Sequence, residues 1–95
     1  MLTLHDIEKA VHDVGAAYGV RRALLFGSYA EGRATSASDV DLIVEFDKSS
    51  VSLFTLNGLR YALEDRLGRP VDVIHGPLNP DAMITPGRTM SVYGQ

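Results

Sequence analysis

The sequence contains no cysteine, so disulfides and thiolate metal sites are excluded, and a reducing compartment is permitted. No apolar stretch approaches the roughly 20 residues needed to span a bilayer. The first ten residues, MLTLHDIEKA, carry no basic segment followed by an apolar run, the pattern of a secretory signal. There is no surplus of positive charge either. Nine Lys and Arg face twelve Asp and Glu, for a formal net charge of −3. Proteins that grip nucleic acid through its phosphates usually show a basic face, so direct nucleic-acid binding is not expected. Low-complexity segments, linkers and internal repeats are also missing. What is present is a globular proportion of hydrophobic residues, 45%, in 95 residues. That length predicts one domain over 1–95 with a thin core. The expectation is a soluble cytoplasmic protein with no membrane association.

Leu4, Ile7, Val11, Val14 and Tyr18 recur at spacings of three and four, one apolar stripe of a first helix. Thr3 and Asp6 form a variant capping box at its start, and Gly19 suits its left-handed end. Residues 20–26 read as a strand whose close, Ala23 to Phe26, is continuously apolar and so expected to be buried on both faces. Gly27-Ser28 breaks that strand. A short helix is expected over 29–34, then a polar loop. Residues 39–46 alternate, with Asp39, Asp41, Ile43 and Glu45 on one face and Val40, Leu42, Val44 and Phe46 on the other. Leu53, Leu56, Leu59, Leu63 and Leu67 form a second helical stripe, closed by Gly68 and Pro70. Residues 71–75 read as a third strand. Asn79-Pro80 then looks like the start of another short helix. The tail from Arg88 has no decisive pattern. The predicted fold class is α/β, a small mixed sheet with helices packed on it, in the order α-β-α-β-α-β-α.

Three features carry chemistry. Asp39 and Asp41, two apart on a strand, project to one side about 6–7 Å apart. Like charges so placed repel unless a cation lies between them. Mg2+ suits that position, because it prefers carboxylate together with phosphate oxygens. Taken alone, Asp-x-Asp is a common pattern, and two solvated acids at the start of an edge strand is its ordinary reading. Gly27 permits a sharp turn and close approach of a ligand, and the N–H groups of Ser28 and Tyr29 follow it. Alone, this pair is an ordinary strand-to-helix turn. Asp72 stands in the apolar run Val71-Asp72-Val73-Ile74, where an acid needs water, a partner or a metal. If the third strand lies beside the second, Asp72 can join the other two acids.

In combination, Gly27-Ser28, ten intervening residues and Asp39-Val40-Asp41 make the pattern Gly-Ser-x10-Asp-x-Asp. The segment LLFGSYAEGRATSASDVDLIVEF resembles the DNA polymerase beta-like nucleotidyltransferase superfamily, and within it the minimal nucleotidyltransferase (MNT) branch. The resemblance runs from the first helix through LGRPVDVIHG. It implies that Asp39, Asp41 and Asp72 hold Mg2+ and form the catalytic set. It implies a nucleotide site of Gly27, Ser28, Tyr29, Arg33 and Ser38, with Gly27 and Ser28 cradling the β- and γ-phosphates of ATP. Many minimal members are antitoxins that transfer AMP to a tyrosine of a HEPN-domain ribonuclease toxin. The implied partner is therefore a HEPN toxin, held in a hetero-oligomer. The sequence departs from the family at Glu31, where many relatives carry arginine; Arg33 stands two residues later. That departure leaves room for an alternative, a catalytically silent antitoxin that neutralises its toxin by contact. A small-molecule nucleotidyltransferase is a third reading, though such proteins resemble longer chains.

His5, His12 and His75 lack metal-ligand spacing. His12 is expected at the surface, Arg21-Arg22 as a solvated pair, and Arg60, Glu64 and Arg66 as a solvated outer face of the second helix.

Overall fold

Local sequence signals account for the two described α-helices of the computed structural model, which describes residues 2–35, 37–48, 50–76 and 88–94. Helix α1, Leu4–Gly15, starts at Thr3, whose hydroxyl accepts from the N–H of Asp6 at 3.1 Å. The Asp6 carboxylate accepts from the Thr3 N–H at 2.9 Å, so the capping box is complete. Ile7, Ala10, Val11 and Val14 are its buried face. The helix ends earlier than the stripe implied. A 3-10 turn, Ala16–Tyr18, intervenes before Gly19 takes the left-handed conformation. Helix α2, Leu53–Leu67, begins with the Ser52 hydroxyl accepting from the Thr55 N–H and ends at Gly68. Leu59, Leu63 and Leu67 are buried on it. Leu53, read as part of that stripe, is 75% exposed. It occupies the first helical position, where the stripe has run past the edge of the core.

Four strands form a mixed sheet: β1 (Val20–Phe26), β2 (Val40–Phe46), β3 (Val71–His75) and β4 (Met90–Tyr93), in the spatial order β3-β2-β1-β4. β1 pairs antiparallel with both β2 and β4, and β2 pairs parallel with β3. The parallel pair follows from the α2 crossover, since parallel neighbours need a long connection. The core includes Ala23, Leu25, Val40, Leu42, Val44 and Phe46 of the sheet, packed with the buried residues of both helices. Side chains alternate across a sheet, so Asp41 belongs to the face opposite this core.

The α/β class with a mixed sheet is as expected, but the element order is not. Among the described residues, no helix stands between β1 and β2. Residues 27–32 form a compact turn, in which the N–H of Glu31 donates to the Gly27 carbonyl at 3.0 Å and that of Arg33 to the Ser28 carbonyl at 2.8 Å. Gly27 and Gly32, at φ 75° and 73°, bracket only four residues between two left-handed positions. That is too short for a repeating ladder. The tail supplies strand β4, which lacks an internal signal because its four residues become a strand only against β1. The short helix expected after Asn79-Pro80 lies outside the described residues. Among the described residues, no helix is long and apolar enough to cross a membrane.

Candidate active site

Sheet register assembles the site. In the parallel pair β2–β3, Asp41 stands opposite Asp72, one step inward from the pairing of Val40 with Val71. In the antiparallel pair β1–β2, Asp41 stands opposite Phe26, the last residue before the Gly27 turn. Asp41 is therefore central, with the third acid on one flank and the glycine turn on the other. Asp39 precedes β2 by one residue and is exposed, as is Asp72 on its edge strand. Asp72 is thus both an edge-strand acid and a neighbour of Asp41.

The approach at Gly27 is close. A Cβ built there would collide with Asp41 Oδ2 and lie 3.3 Å from its Cγ. With φ at 75°, the position is doubly restricted to glycine. The Asp41 carboxylate thus lies directly against the backbone of the turn that carries Ser28.

The electrostatics fit a cation site. The Asp41 carboxyl is pushed above its usual 3.8, first by burial of the charged form and next by the charge of Asp72. A hydrogen bond to Asp72, which only a protonated carboxyl can make, and the charge of Asp39 add to it. A carboxylate so destabilised gains most from a nearby cation. Among the described residues, no group of three acids or histidines already stands in an arrangement that holds a metal.

The remaining predicted residues divide. Ser28 is half-buried in the turn. Tyr29 turns its side chain into the core, where its buried hydroxyl has no hydrogen-bond partner among the described residues, so its backbone is the part that can face a ligand. Arg33 pairs with Glu31 at 3.1 Å, both exposed, so each offsets the other's charge at the turn's rim. The Ser38 hydroxyl accepts from the Thr35 N–H at 2.8 Å and braces the loop into β2.

Two expectations change. Arg21 and Arg22 are not a merely solvated pair. They reach Glu45 at 2.8 and 3.5 Å, and Glu45 is buried on the same face of β2 as Asp41. Alternation placed Glu45 on that face but gave no sign that it would be buried. His75 lies at the far end of β3, opposite Val44 and stacked on Phe46 at 5.5 Å, away from the acids. His12 is exposed as expected, its ring edge-on to Tyr93 at 4.9 Å. On α2, Arg66 is tied to Asp13 of α1 at 2.7 Å, and Glu64 accepts from the Val71 N–H at 3.0 Å. That face is therefore partly structural.

Comparison with known proteins agrees with this geometry. The model of the nucleotidyltransferase domain family matches residues 7–91. The chain is similar to the protein adenylyltransferase MntA of Thermococcus cleftensis, 38% identical over 78 residues, covering 78% of each chain. Its fold is similar to that of a toxin–antitoxin crystallised with AMP-PNP, with TM-score 0.75, 21% identity, and coverage of 99% of this chain and 75% of that one. It is also similar to a tri-AMPylated HEPN toxin in complex with an MNT antitoxin from Shewanella oneidensis. There the TM-score is 0.69 and the identity 16%, over 98% of this chain and 74% of that one. At these identities the two structural likenesses establish the fold alone.

Proposed function

This chain belongs to the nucleotidyltransferase domain family, and from that premise we propose that it transfers AMP from ATP to a tyrosine of a HEPN-domain toxin and so silences it. One observation carries the reading: Asp41 and Asp72 pair in register on the sheet face beside the Gly27 turn. The similarity to a protein adenylyltransferase supports the reaction. The likeness to toxin–antitoxin structures, one of them with an AMPylated HEPN toxin, supports the partner.

In this reading the attacking tyrosine oxygen forms a bond to the α-phosphorus as the bond to the β-phosphate oxygen breaks and pyrophosphate leaves. The turn positions the nucleotide, because Gly27 leaves room for phosphate and the backbone N–H groups beyond it can donate to phosphate oxygens. Asp72, exposed at the sheet edge, accepts the proton of the incoming hydroxyl. Asp41 stands opposite Asp72 in the paired strands, which sets the two carboxyl groups side by side. Asp39 and Asp41, with Asp72, are the residues that would hold Mg2+. When bound, the ion would neutralise the triphosphate and the charge developing in the transition state.

The test uses the full chain, ATP, Mg2+ and the partner toxin. Intact mass spectrometry should show the partner gaining one or more AMP units, with a matching loss of its ribonuclease activity. Asp39→Ala together with Asp41→Ala should abolish the transfer while the chain still folds, since it relieves like-charge repulsion. If the partner gains no mass yet is inhibited equally by wild type and double mutant, the enzyme reading fails and silent binding replaces it.

A further inference from the structure

Strand β1 carries an irregularity that decides where the Gly27 turn falls. Val20 stands opposite Phe46 and Arg22 opposite Glu45, so two residues of β1 match one step of β2 and Arg21 is the extra residue of a bulge. Burial follows the same shift. Val20 and Ala23 are both buried in the core although they are three apart in the chain. Arg21 and Arg22, between them, both reach Glu45 on the opposite face. From Arg22 onward the ladder is regular and brings Phe26 opposite Asp41.

Without the bulge, the pairing of Val20 with Phe46 would simply continue. Arg21 would stand opposite Glu45, Arg22 opposite Val44, and Leu25 rather than Phe26 opposite Asp41. Gly27 would then lie one residue, about 3.3 Å, from its place against Asp41. Apolar patterning does not forbid that register. Ala23, Leu24, Leu25 and Phe26 can serve on either face, and an unbulged strand would turn Val20, Leu24 and Phe26 to the core in strict alternation. Strand β4 does not forbid it either, since its own pairing with β1 is irregular between Ala23 and Leu24. The obstacle is Arg22, which would enter the core beside the buried Val44 and leave the carboxylate it now faces. Arg21 is no obstacle, because it lies on the Glu45 face in both registers. We propose that Arg22 is a positioning residue: its charge, matched by the buried Glu45, holds β1 in the bulged register that sets Gly27 against Asp41. Its consequence for AMP transfer rests on the proposed function, whereas the register itself does not.

Cross-strand nuclear Overhauser contacts in the isotope-labelled full chain read the register, and calorimetry with ATP and Mg2+ reads the site. Wild type should show Phe26 against Asp41. Arg22→Leu should stay folded by circular dichroism and show Leu25 against Asp41, with position 22 against Val44. It should also bind ATP roughly tenfold or more weakly, because the backbone donors beyond Gly27 have moved off the phosphates. Arg22→Lys should keep the wild-type contacts and affinity, since a charge at that position is still barred from the core. Arg21→Leu should keep the contacts too, with affinity within about twofold, because it removes only a largely exposed partner. Loss of ion pairing alone predicts the opposite order, because Arg21 makes the shorter contact with Glu45, 2.8 Å against 3.5 Å. Arg22→Ala carries the same test if Arg22→Leu does not fold. Phe26 still opposite Asp41 in the uncharged Arg22 variants, or displaced in Arg21→Leu, overturns the proposal. Contacts that move while ATP affinity holds would uphold the register lock and remove the nucleotide site from the Gly27 turn instead.

Discussion

Replacing Gly27 with alanine tests how the acid site is held together. Two separate costs are built into that position. A φ of 75° is left-handed, and an L side chain there costs about 1–2 kcal/mol. The new Cβ would also collide with Asp41 Oδ2 and crowd its Cγ at 3.3 Å. To clear it the carboxylate must leave its rotamer, at about 0.5–1.5 kcal/mol. The sum is about 1.5–3.5 kcal/mol, or roughly 6–28 °C in Tm for a domain of this size. Gly68 is an internal control: its φ is 67°, and nothing lies within 4 Å of its Cβ position. Gly68→Ala should therefore lose only the conformational part. Urea denaturation followed by circular dichroism measures both. A double-mutant cycle with Asp41→Ala isolates the collision, because the atom at fault is then gone and only the Asp41 Cβ, at 3.5 Å, remains. The coupling should be about 0.5–1.5 kcal/mol, with the double mutant less damaged than the sum of the singles. Strict additivity, or equal losses for Gly27→Ala and Gly68→Ala, would refute the close packing of Asp41 on the turn.

Two further outcomes follow from the same site. Asp41 has a raised pKa, so the folded state holds its proton more tightly than the unfolded chain does. Its stabilising contribution is complete below 3.8 and is lost as pH rises through the folded value. Asp41→Asn, which cannot ionise, should gain on wild type in Tm as pH rises from 3.8 to 7; a gap independent of pH would count against the carboxylate cluster. Tyr29 buries a hydroxyl that has no partner among the described residues. Tyr29→Phe should match or exceed wild-type stability, by up to about 1 kcal/mol in urea denaturation, and a clear loss would show that the hydroxyl has a partner in solution.

Much of the architecture was written in local pattern. The 3.6-residue stripe of α1 with its Thr3–Asp6 box, the alternation of β2, and the caps of α2 at Ser52 and Gly68 each depend on residues only a few positions apart. The Gly27-Ser28 and Asp39-Val40-Asp41 motif was legible for the same reason: its chemistry resides in residue type and spacing. Nonlocal contacts decided the rest. Whether Asp72 stood near Asp41 depended on β3 pairing with β2 in register, a shift of one residue being enough to send it to the other face. Strand β4 is a strand because β1 offers a free edge, and the helix expected after Gly27 is a turn because two left-handed glycines enclose it. Arg21 and Arg22 looked solvated because nothing in their own segment reveals that Glu45, 24 and 23 residues later, would be buried against them. Leu53 satisfied the helical period, yet period fixes only which way a residue faces. How far the core extends along a helix is set by the elements packed against it, and at Leu53 they have ended.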